Sequence, residues 1–429
     1  MASILTSGVE RHTGFGHSPS SSPWSAFAVS SRPSRTGNSG PAAQQLPGSC
    51  PAQRAIALAR AGREPAAAVH QAELALADPG CARGPDCVLD ALTCLVLAGE
   101  LATADRVAAR LGHHDDPAGE LRDRGALIRA RTAWWRGDLD TAWELYARLG
   151  DRADPALRPV IVAETVELLV SRGQPAAAYA VLVAYGEVPM PPELRSARGL
   201  VAMVAGDFRV ALAEHLTAGR QFTADGVVNP AISRWRRRAA CCARACGDAE
   251  LAAELARKDH EDALAWGEPK VVGEALAAVA VLAGDGHEIE LLGEAAELLE
   301  VAEAAIEAGE TRYELGCRLL RIGHEAFARV QFTKAAAGFR GVGNRHRAAR
   351  AEEALRGLDP RPGPALTPIE LKVAFLALAN YRNQDIAAKQ FLAVRTVEFH
   401  LSQVYRKLGV RGRDELRFHL LEPEPAPAE

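Results

Sequence analysis

Five side chains near the C-terminus have the types and spacing that suit contact with a nucleic-acid duplex. At about 100° per residue, Arg395, Phe399, Ser402 and Arg406 fall on one helix face, with Glu398 on its flank. Val397, Leu401, Val404 and Leu408 fall on the opposite face, the spacing of a stripe that packs on a core. A helix apolar on one side can simply be packed, with a solvated back. Two arginines, a hydroxyl and an outward phenylalanine are poor choices for such a back. They are the groups that reach phosphates and base edges. A carboxylate such as Glu398 can accept from a cytosine amino group and a ring such as Phe399 can touch a thymine methyl, each good contact worth about 1–3 kcal/mol of discrimination.

That face works only if its helix is held at a fixed angle, and the surrounding residues supply the means. Residues 366–420 read as four short helices. Thr367-Pro368-Ile369-Glu370 is a capping box: the hydroxyl accepts an N-terminal N–H, proline needs none, and Glu370 reaches back to the cap. Val373, Phe375, Leu376 and Leu378 follow at roughly helical spacing, and Asn380 suits the left-handed turn that ends the helix. Asn383 is expected to cap a second helix with Ile386 and Ala387 inward. A tight turn over 391–393 leads to the third helix, which Gly409 closes. Helix, short turn and longer helix is the geometry that places the second helix of the pair in a major groove. Charge follows the same division. Residues 366–420 carry nine Lys/Arg against five acids, a module of +4 in a chain of −4, which leaves −8 on the remainder. A basic module on an acidic body suits a DNA reader whose body should not stick to the duplex.

The run resembles the LuxR-type helix-turn-helix. It matches that family at Leu366-Thr367, Glu370, Val373, Asn383, Ile386-Ala387, Thr396-Val397, His400, Tyr405, Lys407-Leu408, Gly409-Val410, Arg413 and Glu415-Leu416, over about an eighth of the chain. The resemblance implies that Glu398, Phe399 and Ser402 read bases and that Arg395, Thr396, Arg406 and Lys407 hold phosphates. It also implies that the last helix, about residues 413–420, pairs two modules as a homodimer on promoter DNA. His400 is expected to pack or cap within the module. Three departures weaken the match. Ala393 and Gly412 stand where the family has Ser, losing caps worth about 1 kcal/mol and a few tenths respectively. Gln390 stands where the family buries Leu, and an unpaired buried amide would cost about 1–3 kcal/mol. Asn380 for a usual Gly is mild.

The 429-residue chain is 48% hydrophobic but only 5% aromatic, long enough for two or three domains. Residues 1–51 are Ser/Pro/Gly-rich, without a signal-peptide pattern, and are expected to be disordered, or to be translated sequence upstream of the true start. From 52 to 358 the chain is Ala/Leu/Arg/Glu-rich. Its turn glycines, Gly99, Gly137, Gly173, Gly206, Gly247, Gly284 and Gly323, lie 33 to 41 residues apart. Helix-turn-helix units at that period are the signature of a tetratricopeptide-like solenoid, with Trp143, Tyr146 and Leu149 echoing the repeat in the best unit. Residues 359–365 form a Pro-rich linker and 421–429 an acidic, disordered tail. The expected fold is therefore all-α: a helical-repeat solenoid followed by a four-helix LuxR-type domain. That order resembles the large ATP-binding LuxR-type regulators, including the maltose-regulator type. The chain has no GxxxxGK[ST] loop and no Gly-Lys pair, so it lacks their phosphate cradle. It would then be a short member that senses without ATP, or part of the gene is missing. The resemblance implies that a protein or small-molecule effector, or RNA polymerase, docks on the body.

Other constellations carry less. Cys81, Cys87 and Cys94 lack the paired CxxC spacing of a zinc site and are expected to be small hydrophobes, so no metal and no cofactor is expected. Cys242 and Cys246 share a helix face, which leaves a redox pair open. His113-His114-Asp115-Asp116 suits a solvated turn. Arg234-Trp235-Arg236-Arg237-Arg238 reads as a solvated helix face with Trp235 inward, or as a second nucleic-acid contact. Trp134 and Trp135 read as core anchors. No nucleophile–base or paired-carboxylate signature suggests an enzyme. No stretch reaches the ~20 apolar residues of a membrane span, so a cytoplasmic, nucleoid-associated protein is expected. The rival is a solenoid adaptor acting through protein contacts, with a vestigial DNA module.

Overall fold

The computed structural model describes residues 50–416 apart from 112–118, 151–153, 187–189, 283–286, 359–365, 380, 409 and 414–415. The expectations for the N-terminal segment, the linker, the acidic tail, His113–Asp116 and most of a fourth C-terminal helix lie outside them. Among the described residues there are twenty α-helices, one short 3-10 turn (Cys81–Arg83) and no strand. The body begins with α1 (Pro51–Ala61), α2 (Pro65–Ala77), α3 (Pro85–Leu97), α4 (Leu101–Ala108), α5 (Glu120–Trp135), α6 (Leu139–Leu149), α7 (Arg158–Ser171) and α8 (Pro175–Tyr185). It continues through α9 (Pro192–Val204), α10 (Phe208–Ala224), α11 (Trp235–Ala245), α12 (Ala249–Trp266), α13 (Pro269–Leu282), α14 (Glu288–Val301), α15 (Ala305–Arg321), α16 (Glu325–Gly341) and α17 (Arg345–Arg356). The C-terminal module holds α18 (Pro368–Leu378), α19 (Asn383–Lys389) and α20 (Val394–Leu408).

Consecutive helices pack on one another, because a repeated Gly–polar turn reverses the chain within two or three residues. At Gly137 the backbone is left-handed (φ +84°), which a side chain resists. Gly137 N donates to Trp134 O and Asp138 N to Ala133 O, both at 2.9 Å, closing one helix. The Asp138 carboxylate then accepts from Thr141 N at 3.1 Å, opening the next. Asp207 and Asp248 repeat the cap at Val210 N and Leu251 N. Of the seven turn glycines read from the sequence, six have positive φ, and Gly284 lies outside the described residues.

The array coils tightly enough to touch itself 135 to 173 residues later, whereas the repeats of an open solenoid touch only their neighbours. Helix C-termini leave carbonyls without intrahelical partners, and the second half supplies donors to those of the first. Val228 N and Asn229 N donate to Arg60 O at 2.9 and 3.2 Å, and Asn229 Nδ2 to Ala59 O at 2.8 Å. Trp266 Nε1 donates to Leu97 O at 2.7 Å, Lys270 Nζ to Trp135 O at 3.3 Å, and Asn344 Nδ2 to Ser171 O at 3.3 Å. The C-termini of α1, α3, α5 and α7 are thus sealed in order by later turns.

The coil's interior corrects the expectation for the Arg234–Arg238 cluster. Arg236, Arg237 and Arg238 are buried, neither a solvated face nor a nucleic-acid contact. Arg237, 2% exposed, donates to Asp259 Oδ2 at 3.0 Å and to Glu274. Arg238 pairs with Glu167 at 2.7 Å, and Arg234 bridges Glu167 and Glu274, both at 3.3 Å. Burial opposes ionisation of Glu274, but Arg234, Arg237 and Lys270 outweigh it and hold the carboxyl far below the usual range. Trp235 does turn inward, over Gly219, where an added Cβ would lie 2.4 Å from the ring. Beside the network lies a cavity of about 300 Å³ whose lining includes Asp90, Arg131, Trp134, Trp135, Glu193 and Arg234. Trp134 and Trp135, expected as core anchors, pack against hydrophobic clusters of the body from their edge. They stand half-buried on this wall, under Arg234 and Lys270 at 5.7 and 4.9 Å from their rings.

The module shares a hydrophobic core with the end of the body. Leu292, Leu315, Phe327 and Phe332 belong to the same cluster as Val373, Ile386, Val397 and Leu401. Phe375 packs against Gly293 on α14, where a Cβ would meet its ring at 3.1 Å. Acidic side chains of α14 complete the contact: Glu294 with Lys389 at 3.0 Å, Glu297 with Lys372 at 3.9 Å, and Glu290 accepting from the Tyr381 hydroxyl.

Candidate nucleic-acid interface

The module is assembled from its caps inward. Thr367 N donates to Glu370 Oε2 at 2.7 Å and Glu370 N to Thr367 Oγ1 at 3.3 Å, the reciprocal capping box required by the Thr-Pro-Ile-Glu sequence. Lys407 Nζ also reaches Glu370 Oε2, at 2.5 Å, tying the end of α20 to the start of α18. The Lys407 contact, helped by Thr367, holds the Glu370 carboxyl below its ordinary value. α19 departs from expectation: Asn383 is its first residue rather than its cap. The carboxylate that caps it is Asp385, accepting from Arg382 N at 3.3 Å. The Asn383 side chain instead accepts from Arg413 Nη2 at 3.0 Å, while Arg413 Nη1 donates to Tyr381 O at 2.6 Å.

The turn between α19 and α20 pivots on Phe391, a non-glycine residue at φ +53° whose ring is 97% exposed. Leu392 N donates to Ala387 O at 2.9 Å, and the Ala393 carbonyl accepts from Thr396 N at 2.9 Å to start α20. Ala393, the residue before α20, has no side-chain group that could cap it. Gln390 does not carry the cost expected of it. It lies at the C-terminal cap of α19, partly exposed, and not as a buried amide. His400 packs as expected, with its ring edge-on to Phe399 at 5.7 Å.

Val397, Leu401 and Val404 are buried against α18 and α19, which fixes the opposite face of α20 outward. Arg395, Glu398, Phe399, Ser402 and Arg406 are all exposed, Phe399 to 59%, and Thr396 is partly so. The body approaches the module from the α18–α19 side and leaves this face uncovered. Two groups are engaged locally: Ser402 Oγ donates to Glu398 O at 2.9 Å and Arg406 Nη2 to Gln403 Oε1 at 2.6 Å. Lys407 differs from the other residues assigned to phosphates, since it is half-buried in its ion pair with Glu370. The residues missed by sequence reasoning are Arg413, whose role as a clasp depends on a carbonyl 32 residues away, and Phe391, which a turn assignment had set aside. An aromatic residue in the tight turn before the apolar-striped helix was the available signal for the latter.

A buried-backed helix, held by a capping box and a short preceding helix with one face open, is the arrangement of a groove reader. Residues 364–419 match the family model for bacterial regulatory proteins of the luxR family. They form a LuxR-family helix-turn-helix domain. The LuxR-type module also aligns with the spore germination protein GerE of Bacillus subtilis, 36% identical over 58 residues, covering 14% of this chain and 78% of that protein. Provisionally named HTH-type transcriptional regulators of Mycobacterium bovis and Mycobacterium tuberculosis are 33% identical over 214 residues, 46% of this chain. The chain covers only 23% of the length of those mycobacterial relatives.

Proposed function

We propose that the chain is a sequence-specific DNA-binding transcription regulator whose LuxR-type module reads the major groove through α20. One observation carries this: the face with Arg395, Glu398, Phe399, Ser402 and Arg406 is open while the residues behind it are buried. Glu398, Phe399 and Ser402 contact base edges, and Arg395, Thr396 and Arg406 hold phosphates. Lys407 joins the phosphate set only by releasing Glu370. Two modules bind as a homodimer on half-sites about one helical turn apart. Residues 52–358 act as the sensing body, and its 300 Å³ cavity, ringed by tryptophans and charges, supports a small-molecule effector. RNA polymerase or a protein partner would meet the outer surface. We read the protein as a binder and not a catalyst, working on the nucleoid in the cytoplasm; no helix of the described residues is long and apolar enough to cross a membrane.

The test is a DNA-binding titration of the full chain on genomic fragments across a salt series, followed by footprinting. Saturable binding with a log–log salt slope of several units supports the proposal. Arg395→Ala should reduce that slope by about 1 for every sequence, whereas Phe399→Ala should relax preference at one or two base pairs. A folded protein that gives no salt-sensitive shift would favour the adaptor.

A further inference from the structure

Cys81 and Cys87, six residues apart, meet Cys50 from 31 residues earlier at one corner of the body. Cys50 caps the start of α1, Cys81 opens the 3-10 turn after α2, and Cys87 lies in the first turn of α3. Their sulfurs all lie within 4.8 Å of one another, and Cys50 Sγ and Cys87 Sγ are 3.7 Å apart. Two thiolates on one tetrahedral ion, each at about 2.3 Å, are separated by about 3.8 Å. The Cys50–Cys87 pair therefore already has ligand spacing, and Cys81 completes it with a shift on the order of 1 Å.

The surroundings hold the sulfurs in place. The Asp78 carboxylate accepts from Gly80 N at 3.0 Å and Cys81 N at 2.8 Å, fixing the turn that presents Cys81. Cys50 and Cys87 sit at the N-terminal ends of two helices, where the backbone dipoles favour negative sulfur. Burial opposes ionisation of Cys50, yet backbone N–H from Gln53 and the thiols of Cys87 and Cys81 pull its pKa below the ordinary value. Burial and the neighbouring Cys50 raise the other two, Cys87 to about 12. Cys81 is buried, while Cys50 and Cys87 are partly exposed, so an ion has a route in from their side.

We propose that Cys50, Cys81 and Cys87 bind a single thiophilic metal cation of the zinc–cadmium type. The ion takes three thiolate sulfurs, each giving up any proton to solvent as its metal–sulfur bond forms, and keeps an open position for an exogenous ligand. All-sulfur donors select soft ions over magnesium or calcium. A filled site would staple the start of α1 to α3 at the end of α1 opposite its contact with Val228 and Asn229.

The test uses the full chain, stripped with chelator and kept reduced with a non-thiol reductant. Titration with Cd2+ is followed by sulfur-to-metal charge-transfer absorption, and Zn2+ is added in competition. The expected result is a break at one equivalent with the intensity of three thiolates, removed by Zn2+. Cys50→Ser and Cys87→Ser should each weaken binding at least tenfold with unchanged far-ultraviolet circular dichroism. Cys246→Ser, at an exposed cysteine on α11's C-terminal cap, should leave the break in place. A wild-type titration without a stoichiometric break overturns the proposal, as does a break that survives both cluster variants or disappears in Cys246→Ser.

Discussion

Replacing Glu274 with Gln should destabilise the body by about 3 kcal/mol, because it leaves the buried Arg237 and the partly buried Arg234 guanidinium short of charge. The Glu274 side chain receives Arg237 directly and Arg234 Nε at 3.3 Å, and the Arg237 side chain is only 3% exposed. Breaking a buried pair by removing one partner costs about 3–5 kcal/mol, mostly the penalty of the charge left behind. Compensation pulls the expected figure to the low end of that range. Arg237 keeps Asp259 at 3.0 Å and Arg234 keeps Glu167 at 3.3 Å. Against a total stability of about 5–15 kcal/mol the loss is large. The assay is equilibrium urea unfolding followed by tryptophan fluorescence, since every tryptophan among the described residues lies in the body and Trp134 stacks under Arg234. The midpoint should fall with m unchanged. Adding Arg237→Met to Glu274→Gln should cost less than the two single losses summed, with a coupling of at least about 1 kcal/mol. A Glu274→Gln loss under about 1 kcal/mol, with no coupling to Arg237, would mean that the arginines are effectively solvated. The interior network would then not hold the coil together.

Other perturbations probe separate features. His215 is fully buried with neither ring nitrogen bonded, and burial, then Arg238, depress its pKa to about 3. Burial takes His324 to about 4. Both stay neutral in the fold and protonate on unfolding below about pH 6.5. The unfolded state therefore binds more protons there, and stability should fall by up to about 1.4 kcal/mol per histidine per pH unit as pH drops from about 6.5 towards 4. Urea midpoints across that range check it, and His215→Leu should flatten the slope. Gly219→Ala should cost about 1–3 kcal/mol by forcing Cβ against Trp235, while Gly341→Ala, with nothing within 4 Å, should be neutral or stabilising in the same melt. Thr367→Ala should lower the module's stability by about 1 kcal/mol, read by amide exchange in α18. The Glu370 contribution, from a carboxyl with a depressed pKa, should persist above the ordinary glutamate value near 4.3 and vanish as pH falls through the depressed one.

What the sequence disclosed, and what it withheld, divides along the range of the interactions. The capping box at Thr367, the Gly137–Asp138 turn and the Val397–Leu401–Val404 stripe are local: each is decided within a few residues, so spacing alone specifies it. The outward face of α20 follows, because burying one side of a helix dictates the other. Contacts between distant segments had no such signature. Arg234–Arg238 looked like a solvated run because its counter-charges, Glu167, Asp259 and Glu274, come from α7, α12 and α13. Cysteine spacing set Cys81 and Cys87 beside Cys94, which is buried in the core, as small hydrophobes, and overlooked Cys50, which meets them from 37 residues before Cys87. Asn383 was misassigned for the same reason, since the guanidinium that uses it lies 30 residues on. The partners of Arg234–Arg238 depend on how tightly the array coils. That pitch is set by summed packing such as Trp235 on Gly219 and Phe332 against Gly316, which have no periodic mark in the chain. The open face of α20 was therefore legible because it is built from one helix and its immediate supports. The interior that would receive a signal was not, because at least seven helices build it.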